Sequence, residues 1–164
     1  MTIRKTSPSD LAAVMQIYAE AQAYMQENGN PDQWGKAHPP QKLIENDIKS
    51  GSSYVCVDNN KIAAVFYFCQ EEEPTYSKIE GNWLNDAPYA VVHRIARANN
   101  AKGAGAFCLQ WCYSQHANIR IDTHKDNTPM LTLLDRLGYT YCGIINLVNG
   151  DERMAFQKGD SHEF

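Results

Sequence analysis

Residues 99–107 read NNAKGAGAF, two glycines and three alanines around a single lysine. To their left, PYAVVHRIA (88–96) has the β-branched run of a strand. To their right, FCLQWCYSQH (107–116) has the composition of a helix, so the small residues fill the passage from a strand into a helix mouth. A helix N-terminus carries unpaired N–H groups and a partial positive charge, and it attracts anions. Glycine and alanine let a phosphate reach those amides without meeting a side chain. The stretch therefore predicts a phosphate or pyrophosphate seat at this helix mouth, with the Lys102 ammonium at its rim. A helix start that only needs tight packing is the plain alternative. A dinucleotide fingerprint is excluded, because Ala106-Phe107-Cys108 supplies no third glycine, and no Lys-Ser or Lys-Thr follows as a triphosphate loop requires.

Outward from this loop the chain alternates strand and helix patterns. TIRK (2–5) is a short strand, and Ser7, Pro8 and Asp10 form a weak capping box ahead of Leu11, Val14, Met15 and Tyr18 at helical spacing. NGNPDQWGKAHPP (28–40) reads as a loop and QKLIENDIKS (41–50) as a second helix. SSYVCVD (52–58) and KIAAVFYFCQ (61–70) form a hairpin across Asn59-Asn60, since asparagine tolerates positive φ. A polar connection, EEEPTYSKIEGNWLNDAP (71–88), leads to the strand already named. Beyond the glycine loop, NIRIDTH (118–124) is a strand, and Thr128-Pro129 opens a helix with a Met130, Leu133, Leu134, Leu137 stripe that Gly138 ends. YTYCGIINLV (139–148) and DERMAFQK (151–158) close as a hairpin at Asn149-Gly150. The expected architecture is an α/β mixture in one domain over 1–164, with a mainly antiparallel sheet and one parallel crossover through the Gly103 helix.

Composition narrows the function class. A net charge of -4 gives no basic footprint for nucleic acid, so none is expected as a partner. No apolar run is long enough to span a membrane, and MTIRKTSPSDL lacks a signal core. Five scattered cysteines in apolar settings suit reduced thiols, and a cytoplasmic location is expected.

Two motifs, NAKGAG (Asn100–Gly105) and NTPMLTLLDRLGY (Asn127–Tyr139), together with the element order, resemble the GNAT superfamily of N-acetyltransferases over essentially the whole chain. The resemblance implies an α+β domain whose sheet is splayed in the middle, with helices on both faces. It implies acetyl-CoA as co-substrate, its pantetheine arm hydrogen-bonding along Ile95, Ala96 and Arg97 like an extra strand. It places pyrophosphate on the amides of Lys102, Gly103, Ala104, Gly105 and Ala106, with Asn100 and Ala101 also binding the cofactor and Asn127 facing it near the splay. The implied reaction is direct acetyl transfer to a primary amine in a ternary complex, the acceptor being a small molecule or peptide. Dimers are common in the family, so a homodimer is open. Two departures stand out: Asn100 replaces the usual Gln or Arg, and Leu134 occupies the position of the usual acid, a tyrosine.

Amine acetylation needs a base for the ammonium proton and a donor for the leaving thiolate. With the tyrosine replaced, His124, Tyr139 and Tyr141 are the candidate donors, His124 preferred; a surface histidine is the plain alternative. His93 and Glu80 compete as base, against a packing histidine, a solvated acid, or a water relay from either. Two loops pair a tryptophan with an acid, Asp32 with Trp34 and Glu80 with Trp83, which predicts a cationic amine acceptor held by cation–π and charge attraction. Either tryptophan could instead cover the core. Cys108, Cys112 and His116 fall at helical spacing, yet core packing outweighs zinc there, so no metal is expected. Cys142 lacks the partners of a nucleophile, and Glu71 to Glu73 read as a solvated face. The leading function is an acyl-CoA-dependent N-acetyltransferase. A non-catalytic CoA-binding module and a cofactor-free interaction domain are the alternatives.

Overall fold

A computed structural model of the chain describes residues 1–160. Its strands are β1 (Thr2–Lys5), β2 (Ser53–Asp58), β3 (Lys61–Gln70), β4 (Glu80–Gly81), β5 (Ala90–Arg97), β6 (Ile119–Thr123), β7 (Thr140–Asn146) and β8 (Glu152–Lys158). Its helices are α1 (Leu11–Glu27), α2 (Gln41–Lys49), α3 (Ala104–Gln115) and α4 (Thr128–Arg136). The strands join in one sheet of order β1-β2-β3-β5-β6-β8-β7-β4, antiparallel throughout except β5 with β6. That parallel pair is the crossover through α3. Alternation along the strands builds two faces. Cys56, Ala64 and Phe66 pack with α3 and α4, whereas Val55 and Val65 pack with Val14, Ile17 and Tyr18 of α1 and Ile44 of α2.

The sheet comes apart at its centre. β5 pairs with β6 only at Ala90↔Ile119 and Val91↔Arg120. Beyond Val91, β5 stays with β3 while β6 stays with β8 as far as Thr123↔Met154. The divergence coincides with a bulge: Val65 faces Ala96 and Tyr67 faces His93, so one residue between them on β3, Phe66, stands against two on β5, Arg94 and Ile95. Arg94 absorbs the extra residue with φ +50°, a left-handed conformation costing about 1–3 kcal/mol in a non-glycine residue. Tertiary contacts hold it there. Tyr18 Oη donates to the Arg94 carbonyl at 2.8 Å, and Asp47 takes the guanidinium in a fork at 2.9 and 3.0 Å.

The closed end of the opening is fixed by a buried network. Asn85, Asn118 and Gln157 interlock their amides, and Gln157 Oε1 accepts from the Leu84 amide at 2.8 Å. Arg120 lies between the rings of Trp83 and Tyr89, 4.2 and 4.1 Å from their centroids, and donates to the Asn85 carbonyl. Amides interlocked on this scale specify one geometry. They keep β5 and β6 together at one end while the other opens.

Two local expectations need correction. Asn149-Gly150 is not a two-residue turn; residues 147–151 form a longer loop closed by the Leu147 amide donating to Asp151 O at 2.8 Å. The polar connection 71–88 contains β4, which pairs Glu80 with Ile144 and Gly81 with Gly143. A two-residue bridge has no periodic signature; its glycines instead permit close backbone approach, since a Cβ on Gly81 would collide with Cys142 O. Asn59 (φ +50°) and Asn60 (φ +63°) do form the two-residue β2–β3 turn. All five cysteines are free, and Cys108 and Cys112 are fully buried in the core. Among the described residues, no helix is long and apolar enough to cross a membrane.

Candidate active site

The opened sheet is lined as a cavity of about 800 Å³. Val92, His93, Arg94 and Ile95 line it from β5, and Ile121, Asp122 and Thr123 from β6. Its rim comes from the 28–40 loop, the start of α4 and the β7–β8 loop.

One side of the opening is suited to an extended ligand ending in phosphate. Past Val91 the β6-facing edge of β5 has no strand partner, which leaves Ile95, Ala96 and Arg97 beside the gap. The backbone then turns at Gly103 (φ +83°) into α3. Among the described residues the amides of Lys102, Gly103, Gly105 and Ala106 donate to no protein acceptor, while Ala104 N reaches Ala101 O. A Cβ on Gly103 would meet nothing within 4 Å, and one on Gly105 would touch Leu133 Cδ2 of α4 at 3.4 Å. Asn100, Lys102 and Gly103 are exposed, and Ala101 is half-buried. Asn127 caps α4, its Oδ1 accepting from Met130 N at 3.2 Å while Nδ2 donates to Gln33 Oε1 at 2.9 Å.

On the other side stand the titratable groups. His93 Nε2 lies 3.0 Å from Glu73 Oε1. Glu73 caps a single turn of 3-10 helix (Pro74–Tyr76), accepting from the Thr75 amide, and Tyr89 Oη receives the Glu73 amide at 2.9 Å. His93 holds the Glu73 carboxyl below its usual range, chiefly through this hydrogen bond, against opposing desolvation. Asp122 accepts from Tyr76 Oη at 2.6 Å, and burial among acids pushes the Tyr76 phenol far up. His38 and Trp34 stand edge to face at 5.9 Å; burial, then Arg94 and Arg153, lower the His38 pKa and keep the ring neutral.

The structure redistributes several expected roles. His93, Trp34, Ile95 and Asn127 line the cavity. Glu80 does not: it is exposed on β4 beside a separate pocket of about 370 Å³. Trp83 does not either, since its indole N–H donates to Tyr76 O at 3.0 Å and its face covers Arg120. His124 is turned into its own loop, where Nδ1 accepts from the Asp126 amide at 3.0 Å. Tyr139 is buried in the core and Tyr141 packs on Phe156 in the open, neither on the cavity wall. Leu134, at the tyrosine position, is fully buried. Glu73 is no part of a solvated face, and its Glu-Pro-Thr pattern, an acid before a proline-initiated turn, is the signal that could have revealed a cap. Thr123 was also missed. The residue is 1% exposed, its buried Oγ1 has no partner among the described residues, and it lines the cavity.

No family model and no curated protein sequence matches the chain. Solved structures do. An acetyltransferase of the GNAT family from Streptococcus agalactiae is 32% identical, covering 98% of this chain and 96% of its own, with a TM-score of 0.87. The yncA protein of Salmonella typhimurium, described with its cofactor acetyl-CoA, shares the fold at 15% identity and TM-score 0.66, with 99% and 96% covered. A ribosomal-protein-alanine N-acetyltransferase from Brucella melitensis does so at 16% identity and TM-score 0.61, covering 96% and 99%. A splayed sheet with a free strand edge leading into an unpaired helix mouth, and a relative at this identity over nearly its full length, place the chain in the GNAT family of acetyltransferases.

Proposed function

We propose that this chain transfers the acetyl group of acetyl-CoA directly to a primary amine, both held in the opened sheet. The continuous run from the free edge of β5 to the bare amides at the mouth of α3 carries this reading. The edge offers an extended arm its backbone groups, and the amides offer a pyrophosphate its counter-charge. Acetyl-CoA supplies an activated thioester; an N–C bond forms as the C–S bond breaks, and the amine must give up a proton.

His93 is the proposed base. With Nε2 engaged by Glu73, Nδ1 is left as the accepting nitrogen, and the Glu73 carboxylate stabilises the imidazolium that forms. Thr123 is the proposed donor to the departing sulfur: its buried hydroxyl has no partner among the described residues and it belongs to the cavity wall, whereas Leu134 carries no acidic proton and His124 is not part of that wall. Trp34 gives the acceptor an aromatic wall. Leu134 favours a second reading, a CoA-binding module without chemistry. Thiol release decides between them. With acetyl-CoA and a panel of primary amines, free thiol is expected to appear in proportion to acetylated amine. Heat protection by acetyl-CoA with no thiol release from any amine would leave only the binding module.

A further inference from the structure

We propose that Arg153 forms an anion subsite in the acceptor half of the cavity, so that the acceptor is an amino acid or similar amino-carboxylate. The proposal rests on the amine-acetylation reading and names its substrate class.

Arg153 is 6% exposed and lines the cavity. Its guanidinium donates to two main-chain carbonyls, Glu152 O through Nη1 and Gln33 O through Nη2, each at 2.9 Å. Among the described residues no carboxylate forms an ion pair with it. The other enclosed arginines have their charge answered: Arg94 is forked by Asp47, and Arg120 is held between two aromatic faces. A charge taken out of water without a counter-ion is costly, and it marks a place where a ligand completes the pair. Pinning the 28–40 loop through Gln33 O needs a donor, not a charge.

Register shows what accompanies it. Ala155 of β8 faces Asp122 of β6, and Arg153 lies two residues from Ala155, on the same face of the sheet. One wall therefore presents a guanidinium and a carboxylate on adjacent strands. Among the described residues Asp122 is engaged only by the Tyr76 hydroxyl, and His93 lines the same cavity from β5. A zwitterion matches this wall, with its amine toward Asp122 and His93 and its carboxylate toward Arg153. A diamine would bring a second cation against the Arg153 guanidinium.

The test uses matched acceptors: α-amino acids, their α-amides and their decarboxylated amines, with thiol release as the readout. For the unaltered protein, kcat/KM is expected to favour the free acid by about 100-fold or more, as when a buried polar group loses its partner. Arg153→Gln keeps a donor but drops the charge, and should bring the members of each set to within about threefold. Arg153→Lys keeps the charge without the fork and should retain part of the preference. Amides and amines as good as the acids in the unaltered protein would overturn the proposal. So would Arg153→Gln slowing every member of a set alike, which is the signature of loop pinning alone. Thiol release from none of the acceptors would overturn the amine reading itself, an outcome seen before any carboxylate comparison is made.

Discussion

Gly103→Val is expected to remove the heat protection given by acetyl-CoA and to raise its Kd by about 100-fold or more, the loss of roughly two charge-assisted hydrogen bonds of 1.5–3 kcal/mol each. Gly103 sits at φ +83° as the last residue before α3, and nothing stands within 4 Å of where its Cβ would be. The damage is therefore not a collision inside the protein. A β-branched residue is driven out of the left-handed region, which turns the amides of Lys102 to Ala106 away from a common point. Its methyl groups also fill the open space through which a phosphate would approach. Strain of about 1–2 kcal/mol should lower the melting temperature of the ligand-free protein by roughly 2–8 °C. Gly103→Asn separates the two effects, because asparagine tolerates positive φ and should keep most of the ligand-free stability while weakening binding. Calorimetry or thermal shift with and without acetyl-CoA reads both quantities. Unchanged acetyl-CoA affinity in Gly103→Val would remove the mouth of α3 from the cofactor site.

Legibility in the sequence followed the range of the interactions. NNAKGAGAF showed the strand-to-helix passage because glycine and alanine there serve the local backbone, and a local requirement leaves a local mark. The element order was legible in the local patterning, and the splay followed from the resemblance that this order, the glycine motif and NTPMLTLLDRLGY carry. The acceptor side was less legible. Glu73 reaches His93 across 20 positions, Asp122 meets Tyr76 across 46, and Arg153 meets the 28–40 loop across 120. None of these pairs has a sequence spacing that fixes it. Strand ends misled for a related reason. Thr123 and His124 are neighbours, but the strand stops between them, so one residue is buried in the cavity wall and the other folds back on Asp126 N. Glu80 and Trp83 looked like an acceptor loop because composition does not say which way a connection packs. The Arg120 stack and the Tyr76 carbonyl decide it for Trp83.

The largest kinetic effect is expected at His93. His93→Gln should lower kcat by about 10²–10⁴-fold, the usual contribution of a positioned general base, with little change in acetyl-CoA affinity. Glu73→Gln tests the dyad from its other end. The Glu73 carboxyl titrates below its ordinary value because His93 hydrogen-bonds it, so it is charged at neutral pH and is lost as a carboxylate only in acid. Glutamine keeps the shape but cannot stabilise an imidazolium, and its amide can present a donor where His93 Nε2–H needs an acceptor. A drop in kcat of about 10–100-fold is expected, smaller than that of His93→Gln because orientation is lost before the base itself. The pH profile distinguishes chemistry from packing. In the unaltered protein the rate should fall in acid as the Glu73 carboxylate gains a proton and stops supporting His93. Both His93→Gln and Glu73→Gln should lose that acid limb, since either change dissolves the dyad. The two losses should also fall short of additive, because the residues act as one unit. A double variant slowed by the full product of the single effects, or an acid limb that persists in His93→Gln, would assign the proton to another group in the cavity, and neutral His38 is the next to test.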